Sequence, residues 1–198
     1  MVNIKGSTFG LIGRSGCGKG TQIKLLELFL KKAGYEVISI GLGKFGRELA
    51  QKETVIGRWI KTIIENGKQY PVWLASSLTT QAIYTSLKNA DQILLLDGLP
   101  RRLAEARVLE ELLKDIGRSP IVPIHLDISE DEARKRLLSR GRADDTPEAI
   151  QMRLSWFTTE VMPVLDYYGE RVITISGEQS IEAAHKEIQQ KLKIEKVK

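Results

Sequence analysis

The segment that most constrains the fold of this chain is a glycine-rich loop at residues 13–22, with the sequence Gly-Arg-Ser-Gly-Cys-Gly-Lys-Gly-Thr-Gln. It follows a short apolar run at residues 9–12, which predicts a buried strand, and precedes residues 23–30, whose apolar spacing predicts a helix. A strand, a glycine loop and a helix in this order are the context that a phosphate-binding loop requires. The chain is therefore predicted to bind a phosphorylated ligand here.

The residue types in this loop suit a phosphate group. The glycines at positions 13, 16 and 18 let several backbone N–H groups turn inward, where they meet the positive end of the helix dipole. Lys19 adds a full positive charge at the rim. A plain glycine turn with a solvated lysine is disfavoured, because the glycine spacing, the preceding strand and the following helix all match a phosphate-binding loop. The general motif has Ser or Thr at the position of Gly20, whereas here the hydroxyl comes one place later, at Thr21.

The length and composition limit the size of the fold and indicate where in the cell the chain is found. With 198 residues and 42% hydrophobic content, the chain can form one compact domain with a well-buried core. No apolar run reaches the ~20 residues of a membrane span, and the first residues lack the apolar segment of a signal peptide, so a cytoplasmic location is expected. The single cysteine, Cys17, excludes an internal disulfide and a cysteine zinc cluster.

The charge balance favours small anionic partners. Thirty basic residues against 25 acidic ones give a net charge of +5, which suits phosphorylated ligands or nucleic acid. The arginines are not in one block: they gather at positions 101 and 102 and again between 134 and 153. This distribution suits nucleotides better than a long polyanion, so a nucleic acid partner is not expected.

Apolar runs and helical periodicities alternate along the rest of the chain. Strands are predicted at residues 9–12, 36–40, 92–96, 121–128 and 172–175. Helices are predicted up to about residue 32 and at residues 47–51, 55–65, 71–87, 103–115, 129–140, 146–168 and 180–192, with a loop at 41–46 and a break or bend near Pro163. This alternation implies right-handed crossovers and a parallel sheet. The predicted fold is α/β, with about five parallel strands flanked by helices.

Several motifs together resemble the adenylate kinase family of nucleoside monophosphate kinases. Residues 18–22, Gly-Lys-Gly-Thr-Gln, have the Gly-Thr-Gln ending of this family, which accounts for the displaced hydroxyl. Residues 97–101, Asp-Gly-Leu-Pro-Arg, resemble its Asp-Gly-Phe-Pro-Arg, and the arginines at positions 136–153 resemble its lid region. The resemblance covers nearly the whole chain. It implies a phosphate-loop kinase fold and Mg²⁺-dependent phosphoryl transfer from a nucleoside triphosphate to a monophosphate.

The resemblance also implies a role for individual residues on the donor side. ATP binding is expected at Gly16, Cys17, Gly18, Lys19, Gly20, Thr21, Arg136, Arg140 and Gly177. Arg136 would stack on the donor base, and Arg140, Arg142 and Arg153 would close over the transferring group. Arginine suits this task because its planar fork stays charged and holds two phosphate oxygens at once.

On the acceptor side the resemblance implies binding of the monophosphate by Gly43, Arg47, Gly98, Arg101 and Glu105. Arg47 and Arg101 would clamp the phosphate, so the catalytic set becomes Lys19, Arg101, Arg140, Arg142 and Arg153. Asp97 would orient Mg²⁺ through its waters. The corresponding organisation is a core (1–40, 90–139 and 146–198), a helical acceptor lobe at about 41–89 and a lid loop at about 140–145.

Two regions depart from the family pattern. Only Gly141 stands between Arg140 and Arg142, so the lid is very short and weak discrimination among nucleoside triphosphates is expected. On the acceptor side, Leu42 replaces a threonine, and Glu105 stands where the family has the glutamine that reads adenine. An ionised glutamate only accepts hydrogen bonds.

The substitution at Glu105 leaves the acceptor base open. Glu105 could favour GMP, could contact only the amino group of adenine, or could turn to Arg102 or Arg107 and leave the base unread. AMP ranks first because most family members use it, with GMP, UMP and CMP as alternatives. An inactive nucleotide-binding or RNA-associated regulator is the alternative of another class, and the presence of both a donor and an acceptor clamp argues against it.

Four remaining residues carry simpler expectations. Asp144 and Asp145 either bond the lid arginines or begin the next helix as acids favoured by its dipole. His125 lies in an apolar strand and is expected to be a packed core residue, whereas His185 on the last helix is expected to be exposed. The oligomeric state is left open.

Overall fold

The computed structural model describes residues 4–141 and 145–194. In this described part, five strands form one sheet in the order β2-β3-β1-β4-β5, and every neighbouring pair is parallel. The strands are β1 (Thr8–Ile12), β2 (Val37–Ile40), β3 (Ile93–Asp97), β4 (Val122–Asp127) and β5 (Ile173–Ser176). The predicted α/β class with a five-stranded parallel sheet is confirmed, and all five carboxyl ends lie along one edge.

Helices connect the strands and cover both faces of the sheet. They are α1 (Lys19–Lys32), α2 (Leu42–Ala50), α3 (Val55–Glu65), α4 (Val72–Ser86), α5 (Leu103–Asp115), α6 (Glu130–Arg140), α7 (Pro147–Trp156), α8 (Met162–Tyr168) and α9 (Ile181–Lys191). Among these described helices, none combines the length and the apolar character needed to cross a membrane. Three of them, α2 to α4, lie between β2 and β3 and correspond to the predicted helical insertion.

The core lies on both sides of the sheet, as the apolar run of β3 predicts. Ile93 and Leu95 face a cluster that includes buried residues of α1, α6 and α9. Leu94 and Leu96 face a second cluster, with residues of α4, α5 and α8. All four side chains are completely buried. Strands of a parallel sheet that are covered on both faces read as continuous apolar runs for this reason.

The prediction of a glycine-rich loop at residues 41–46 is wrong. Helix α2 begins at Leu42, directly after an extended Gly41, and includes Gly43 and Gly46. Glycine inside a helix costs about 1 kcal/mol relative to alanine, so these positions must serve another purpose. Gly46 is buried against the side chain of Tyr70, an approach that a β-carbon would block. A long-range contact, rather than a turn, therefore accounts for this glycine.

The long helix predicted at residues 146–168 is interrupted, as expected, close to Pro163. Helix α7 passes into a π-helical turn at Phe157–Val161, and α8 follows with Pro163 in its first turn. Proline lacks an N–H and clashes with the carbonyl four residues earlier, and a wider turn accommodates both effects. This turn brings Phe157 toward the carboxyl edge of the sheet, where it lines the cleft described below.

Candidate active site

The glycine-rich loop after β1 closes against the neighbouring strand and helix. Gly13 has a φ of 149° and Gly16 a φ of 88°, conformations that other residues rarely adopt. A β-carbon on Gly13 would lie 2.5 Å from the carbonyl oxygen of Leu126, and one on Gly16 would lie 2.9 Å from that of Ala133. The loop therefore requires glycine for both its backbone conformation and its packing, and it ends at Gly18, where α1 begins.

The Lys19 ammonium is folded back over this loop. Its Nζ donates hydrogen bonds of 2.8 Å to the carbonyl oxygens of Gly13 and Arg14, and it lies 3.4 Å from the Sγ of Cys17. Cys17 itself is buried in the core. The backbone thus holds the positive charge in place at the mouth of the loop.

Gly177, which the sequence assigned to ATP binding, lies against the other side of the loop. Its N–H donates to the carbonyl oxygen of Asp127 at 2.7 Å. A β-carbon at this position would lie 3.4 Å from the backbone oxygen of Cys17 and 2.6 Å from the Cγ2 of Ile128. The turn after β5 therefore approaches the phosphate loop closely.

Asp97 ends β3 beside the beginning of α1. Its backbone pairs with Leu11 of β1. A β-carbon on Gly20 would lie 3.6 Å from the Asp97 Oδ2, so this carboxylate and the first turn of α1 are neighbours. Thr21, one residue further, is exposed. No cluster of three or more acidic, histidine or cysteine side chains that could hold a metal occurs among the described residues.

Arg101 and Lys19 meet above Gly98. A β-carbon on Gly98 would lie 3.4 Å from the Nη2 of Arg101 and 3.4 Å from the Cε of Lys19, so both side chains contact the same face of this residue. The Arg101 Nε donates to the carbonyl oxygen of Gly98 at 3.1 Å. Gly98 has a φ of 67°, which favours glycine. Two cations from different sequence motifs are thus held side by side.

The Arg101 guanidinium is open to the cleft and surrounded by protein on its other sides. This desolvation lowers the pKa of Arg101, while the nearby carboxylates of Glu105 and Asp97 raise it. The group remains charged under all ordinary conditions, because the pKa of arginine starts far above neutrality. The site therefore concentrates positive charge where a phosphate group would be attracted.

Asp145 gathers the arginines of the predicted lid. Its carboxylate accepts hydrogen bonds from Arg140 at 2.8 and 2.6 Å and from the Nη1 of Arg153 at 2.6 Å. The Asp145 side chain is only 2% exposed, and that of Arg153 only 9%. The structure thus favours the hypothesis that Asp145 bonds the lid arginines. Arg142 and Asp144, the other predicted members of this group, lie outside the described residues.

Arg136, the predicted partner of the donor base, lies on α6. Its Nε donates to the Oε1 of Glu132, one turn earlier on the same helix, at 2.6 Å. Its side chain is about one-third exposed, and its charge lowers the pKa of Glu178, although less than the hydrogen bonds from Ser129 do. The side chain is therefore oriented by an acidic neighbour on its own helix.

Two of the acceptor residues predicted from the sequence, Gly43 and Arg47, lie on α2. Arg47 is exposed, and a β-carbon on Gly43 would lie 3.3 Å from its Nη1. Leu42, which replaces the family's threonine, is buried in the second core cluster. Gln69, Trp156 and other side chains line the cleft together with Lys19, Arg101 and Arg153.

Glu105 is engaged in a way that the sequence did not predict. Its Oε2 accepts a hydrogen bond of 2.9 Å from the backbone N–H of Arg101, and the residue is only 7% exposed. Burial raises the pKa of Glu105, and the backbone bond and the charges of Arg102 and Arg101 counteract this only in part. Arg102 points elsewhere, because it donates to the Tyr70 carbonyl oxygen at 2.8 Å and lies 3.4 Å from the Glu160 carboxylate.

Sequence reasoning missed a stack of side chains beneath the phosphate loop. Arg14 lies over the ring of Phe157 at 3.9 Å, and its Nε donates to the Ile128 carbonyl oxygen at 3.2 Å. His125 stacks on Phe157, with 5.8 Å between the ring centroids. The only signal in the sequence was an arginine inside the glycine loop. The stack ties the π-helical turn to the loop.

The two histidines differ from one another. His125 is 8% exposed, and burial lowers its pKa, partly opposed by Asp127. The prediction of a packed core residue is thus confirmed. The expectation that His185 is exposed is wrong, because its ring is half-buried and contacts the ring of Phe29 edge-on. Burial lowers the pKa of His185 as well.

The fold and the site together define the class of phosphate-loop phosphotransferases: a parallel sheet, a phosphate loop after its central strand, and arginines that face the loop lysine. The sequence model of adenylate kinase matches residues 11–173. Adenylate kinase 1 of Nostoc sp. is 34% identical over 179 residues, which cover 89% of this chain and 94% of the relative. The chain belongs to the adenylate kinase family, as the sequence motifs predicted.

Two further relatives agree with this assignment. The adenylate kinase of Corynebacterium glutamicum is 35% identical over 172 residues, which cover 87% of this chain and 91% of the relative. That of Nautilia profundicola is 32% identical over 189 residues, or 93% and 95% of the two chains. The similarity therefore extends over almost the full length of each relative, and the chain is an enzyme of the nucleoside monophosphate kinase type.

Proposed function

We propose that this protein is an adenylate kinase that transfers a phosphoryl group reversibly between ATP and AMP, giving two molecules of ADP. The observation that carries the proposal is that Lys19 and Arg101 meet over Gly98: the Lys19 Cε and the Arg101 Nη2 would each lie 3.4 Å from a β-carbon on this glycine. One belongs to the phosphate loop and the other to the motif after β3. A protein that only binds a triphosphate would not need the second cation at this place.

On the donor side, the inward N–H groups from Gly16 to Thr21 and the Lys19 ammonium hold the phosphates of ATP. Lys19 exchanges its bonds to the Gly13 and Arg14 carbonyl oxygens for phosphate oxygens. Arg136 lies against the base, and Gly177 leaves room for it. Arg140, Arg142 and Arg153 neutralise the charge on the transferring group, which is the main contribution that a protein makes to this reaction.

On the acceptor side, Arg47 and Arg101 hold the phosphate of AMP in line with the donor, while Gly43, Gly98 and Glu105 shape the remainder of the site. Alignment of two reactants converts a bimolecular reaction into an effectively unimolecular one. The helical lobe (about 41–89) and the lid loop (about 140–145) exclude water when they close over the core, so that the phosphoryl group reaches AMP rather than water.

A magnesium ion fits the residues at the carboxyl end of β3. The Asp97 carboxylate faces the first turn of α1 and provides the oxygen donor that hard cations prefer. Because one carboxylate serves the site, Asp97 would hold Mg²⁺ through its water ligands and the phosphates would supply the other ligands. The ion neutralises phosphate charge when bound.

Glu105 supports a second candidate, in which the acceptor is GMP, UMP or CMP. Its carboxylate stands at the predicted base-reading position, and an ionised carboxylate accepts hydrogen bonds only. AMP remains first because the Glu105 Oε2 is already engaged by the Arg101 N–H. The short lid supports broad use of nucleoside triphosphates as donors. We place the enzyme in the cytoplasm, where its nucleotide substrates are found, and propose no nucleic acid partner.

The test is a crossed panel of four triphosphates and four monophosphates, assayed with Mg²⁺ and again with excess chelator. ATP with AMP is expected to give ADP at the highest acceptor efficiency, with donors differing by less than about a hundredfold. Substantial turnover of another monophosphate with little AMP activity would favour the second candidate. An absence of turnover with every pair would overturn the proposal and favour a nucleotide-binding regulator.

A further inference from the structure

Arg14 is a residue of the phosphate loop to which neither the motif nor the resemblance assigns a role. It stands directly after Gly13, at a position where the general motif accepts any residue. Its carbonyl oxygen accepts one of the hydrogen bonds that hold the Lys19 ammonium, at 2.8 Å. The residue lines the cleft together with Lys19, Arg101 and Arg153. The loop therefore brings a second basic residue to the cleft in which the donor and acceptor phosphates are proposed to meet.

The Arg14 guanidinium is held by the protein at one edge and on one face. Its Nε donates a hydrogen bond to the carbonyl oxygen of Ile128 at 3.2 Å. Its central carbon lies 3.9 Å from the centroid of the Phe157 ring. Phe157 is only 6% exposed and packs in the second core cluster, so the ring is a firm support. The orientation of the guanidinium is therefore set before a ligand binds, which lowers the entropic cost of binding.

The two terminal nitrogens of Arg14 are not used by the protein. Within residues 4–141 and 145–194, the side chain makes its one hydrogen bond through Nε and forms no ion pair, and its Nη1 is buried without an acceptor. Arg140 and Arg153 differ, because both donate to the Asp145 carboxylate. Buried polar groups are nearly always hydrogen-bonded, so an unpaired guanidinium donor is unusual. The two Nη groups form the planar fork that can hold two oxygens of one phosphate.

A role as a structural brace, in which Arg14 only ties the loop to Phe157, does not account for its charge. An apolar side chain such as methionine would cover the ring and leave no donor unpaired. A guanidinium instead adds a positive charge to a cleft that already contains Lys19, Arg101 and Arg153, and like charges repel. A polyanion that binds among these cations replaces this repulsion with attraction. The charge of Arg14 is therefore favourable only when the cleft holds an anion.

We propose that Arg14 is a further catalytic residue, whose two Nη groups bind the terminal phosphate of the donor, which is the group transferred. This inference rests on the proposed function, which places a nucleoside triphosphate on the phosphate loop. The terminal phosphate is the relevant one because Arg101, from the proposed acceptor clamp, lines the same cleft as Arg14 and Lys19. Donors that are oriented in advance toward developing charge stabilise the transition state without reorganisation.

The first experiment replaces Arg14 with methionine, which keeps an unbranched side chain over Phe157 and removes the charge. The kcat of Arg14→Met is expected to fall about a hundredfold, the effect of removing one preorganised donor. The KM for ATP is expected to rise about tenfold and that for AMP less than about twofold, because the contact is with the donor. Arg58→Met, at an exposed position on α3, is the matched control and is expected to keep the wild-type constants. A kcat of Arg14→Met within about threefold of the wild type would overturn the inference.

The second experiment separates a direct contact from a structural brace. Arg14→Ala removes the side chain, and free guanidinium ion is then added far below the concentrations that unfold proteins. The ion is expected to raise the kcat of this variant about tenfold, because it restores a planar cation beside the phosphate. Urea, which has a similar shape and no charge, is the control and is expected to restore nothing. A brace predicts instead a lowered melting temperature and no rescue by guanidinium, and that result would overturn the inference.

Binding of β,γ-imido-ATP with Mg²⁺, measured by calorimetry, separates this inference from the proposed function. This analogue carries a terminal phosphate that is not transferred, and Arg14→Met is expected to raise its Kd about tenfold. If the wild type turns over AMP and the two Kd values are equal, the Arg14 inference is overturned and the kinase assignment stands. If the wild type binds the analogue without any turnover, the proposed function fails, while a raised Kd of Arg14→Met still supports the phosphate contact. If the wild type does not bind the analogue, both are overturned.

Discussion

The proposed donor and acceptor sides of the cleft are built in different ways. On the donor side, backbone groups position the loop and Lys19, whose ammonium is bonded to two carbonyl oxygens of its own loop. On the acceptor side, Arg47 is exposed, and the surroundings are shaped by individual side chains such as Tyr70 and Glu105. Phosphates are common to all nucleotides, whereas the base differs. The loop and the lysine of the proposed donor side are thus positioned by the backbone, whereas the surroundings of the proposed acceptor side are shaped by side chains.

The largest expected effect lies on the donor side. Lys19→Met is expected to lower kcat by about a thousandfold, because it removes a positive charge that stabilises the transferring phosphate. Lys24→Met, on the exposed face of the same helix, is the control and is expected to retain wild-type activity. A coupled assay for ADP measures both. A Lys19→Met enzyme with more than a tenth of the wild-type rate would contradict the assignment of this lysine.

The second effect concerns the carboxylate that holds the lid arginines. Asp145→Ala is expected to lower the free energy of unfolding by about 3 kcal/mol, because it removes a buried carboxylate that accepts a hydrogen bond from the buried Arg153. The KM for ATP is expected to rise more than that for AMP, since Arg140 and Arg153 are proposed to serve the donor. Urea denaturation and steady-state kinetics measure these changes. Asp166→Ala, at an exposed position on α8, is the control. Equal stability of the two variants would contradict the prediction.

The third effect tests the acceptor side. Glu105→Gln keeps an oxygen for the Arg101 N–H and adds an amide donor, which matches the edge of adenine. The kcat/KM for AMP relative to GMP is therefore expected to rise about tenfold, the effect of roughly one hydrogen bond. Glu111→Gln, an exposed position on the same helix, is the control. An unchanged ratio would show that position 105 does not read the base.

The smallest expected effect is a pH dependence of the protein's stability that arises from Glu105. Burial raises the pKa of Glu105 above its ordinary value of 4.5, so the folded protein binds this proton more tightly than the unfolded chain does. Its contribution to stability is therefore greatest at low pH and is lost as the pH rises through the folded-state pKa. The melting temperature of Glu105→Gln, relative to the wild type, is expected to be about 2 °C higher at pH 8 than at pH 5. A constant difference would contradict the assigned shift.

The fold could be predicted from the sequence because its strands are short, apolar and separated by helices. The helix at Leu42–Ala50 was missed for a physical reason: its glycines read as a loop locally, but Gly46 is needed for a contact with Tyr70. Local propensity carries no information about a partner 24 residues away. The half-buried His185 was missed in the same way, since Phe29 lies on a different helix.

The residues of the candidate site that belong to motifs, such as Lys19, Asp97 and Arg101, are identifiable from the sequence. The groups that these side chains contact are not. The sequence left three alternatives for the contacts of Glu105. In the structure its Oε2 makes a different contact, because it accepts a hydrogen bond from the backbone N–H of Arg101. Likewise, no spacing rule links Arg14 to Phe157, because the π-helical turn that brings the ring to the loop is set by packing. Motifs specify residue types, and the tertiary fold specifies what each side chain touches.

Asp145 has a consequence for the enzyme between catalytic cycles. With its side chain only 2% exposed, it supplies the lid arginines with a resident anion before any nucleotide arrives. This carboxylate reduces the repulsion between the two cations, because both guanidinium groups share it. It also fixes the direction of both side chains, so we expect Arg140 and Arg153 to be oriented already when a nucleotide binds. After a product leaves, the same carboxylate would remain as their counter-charge.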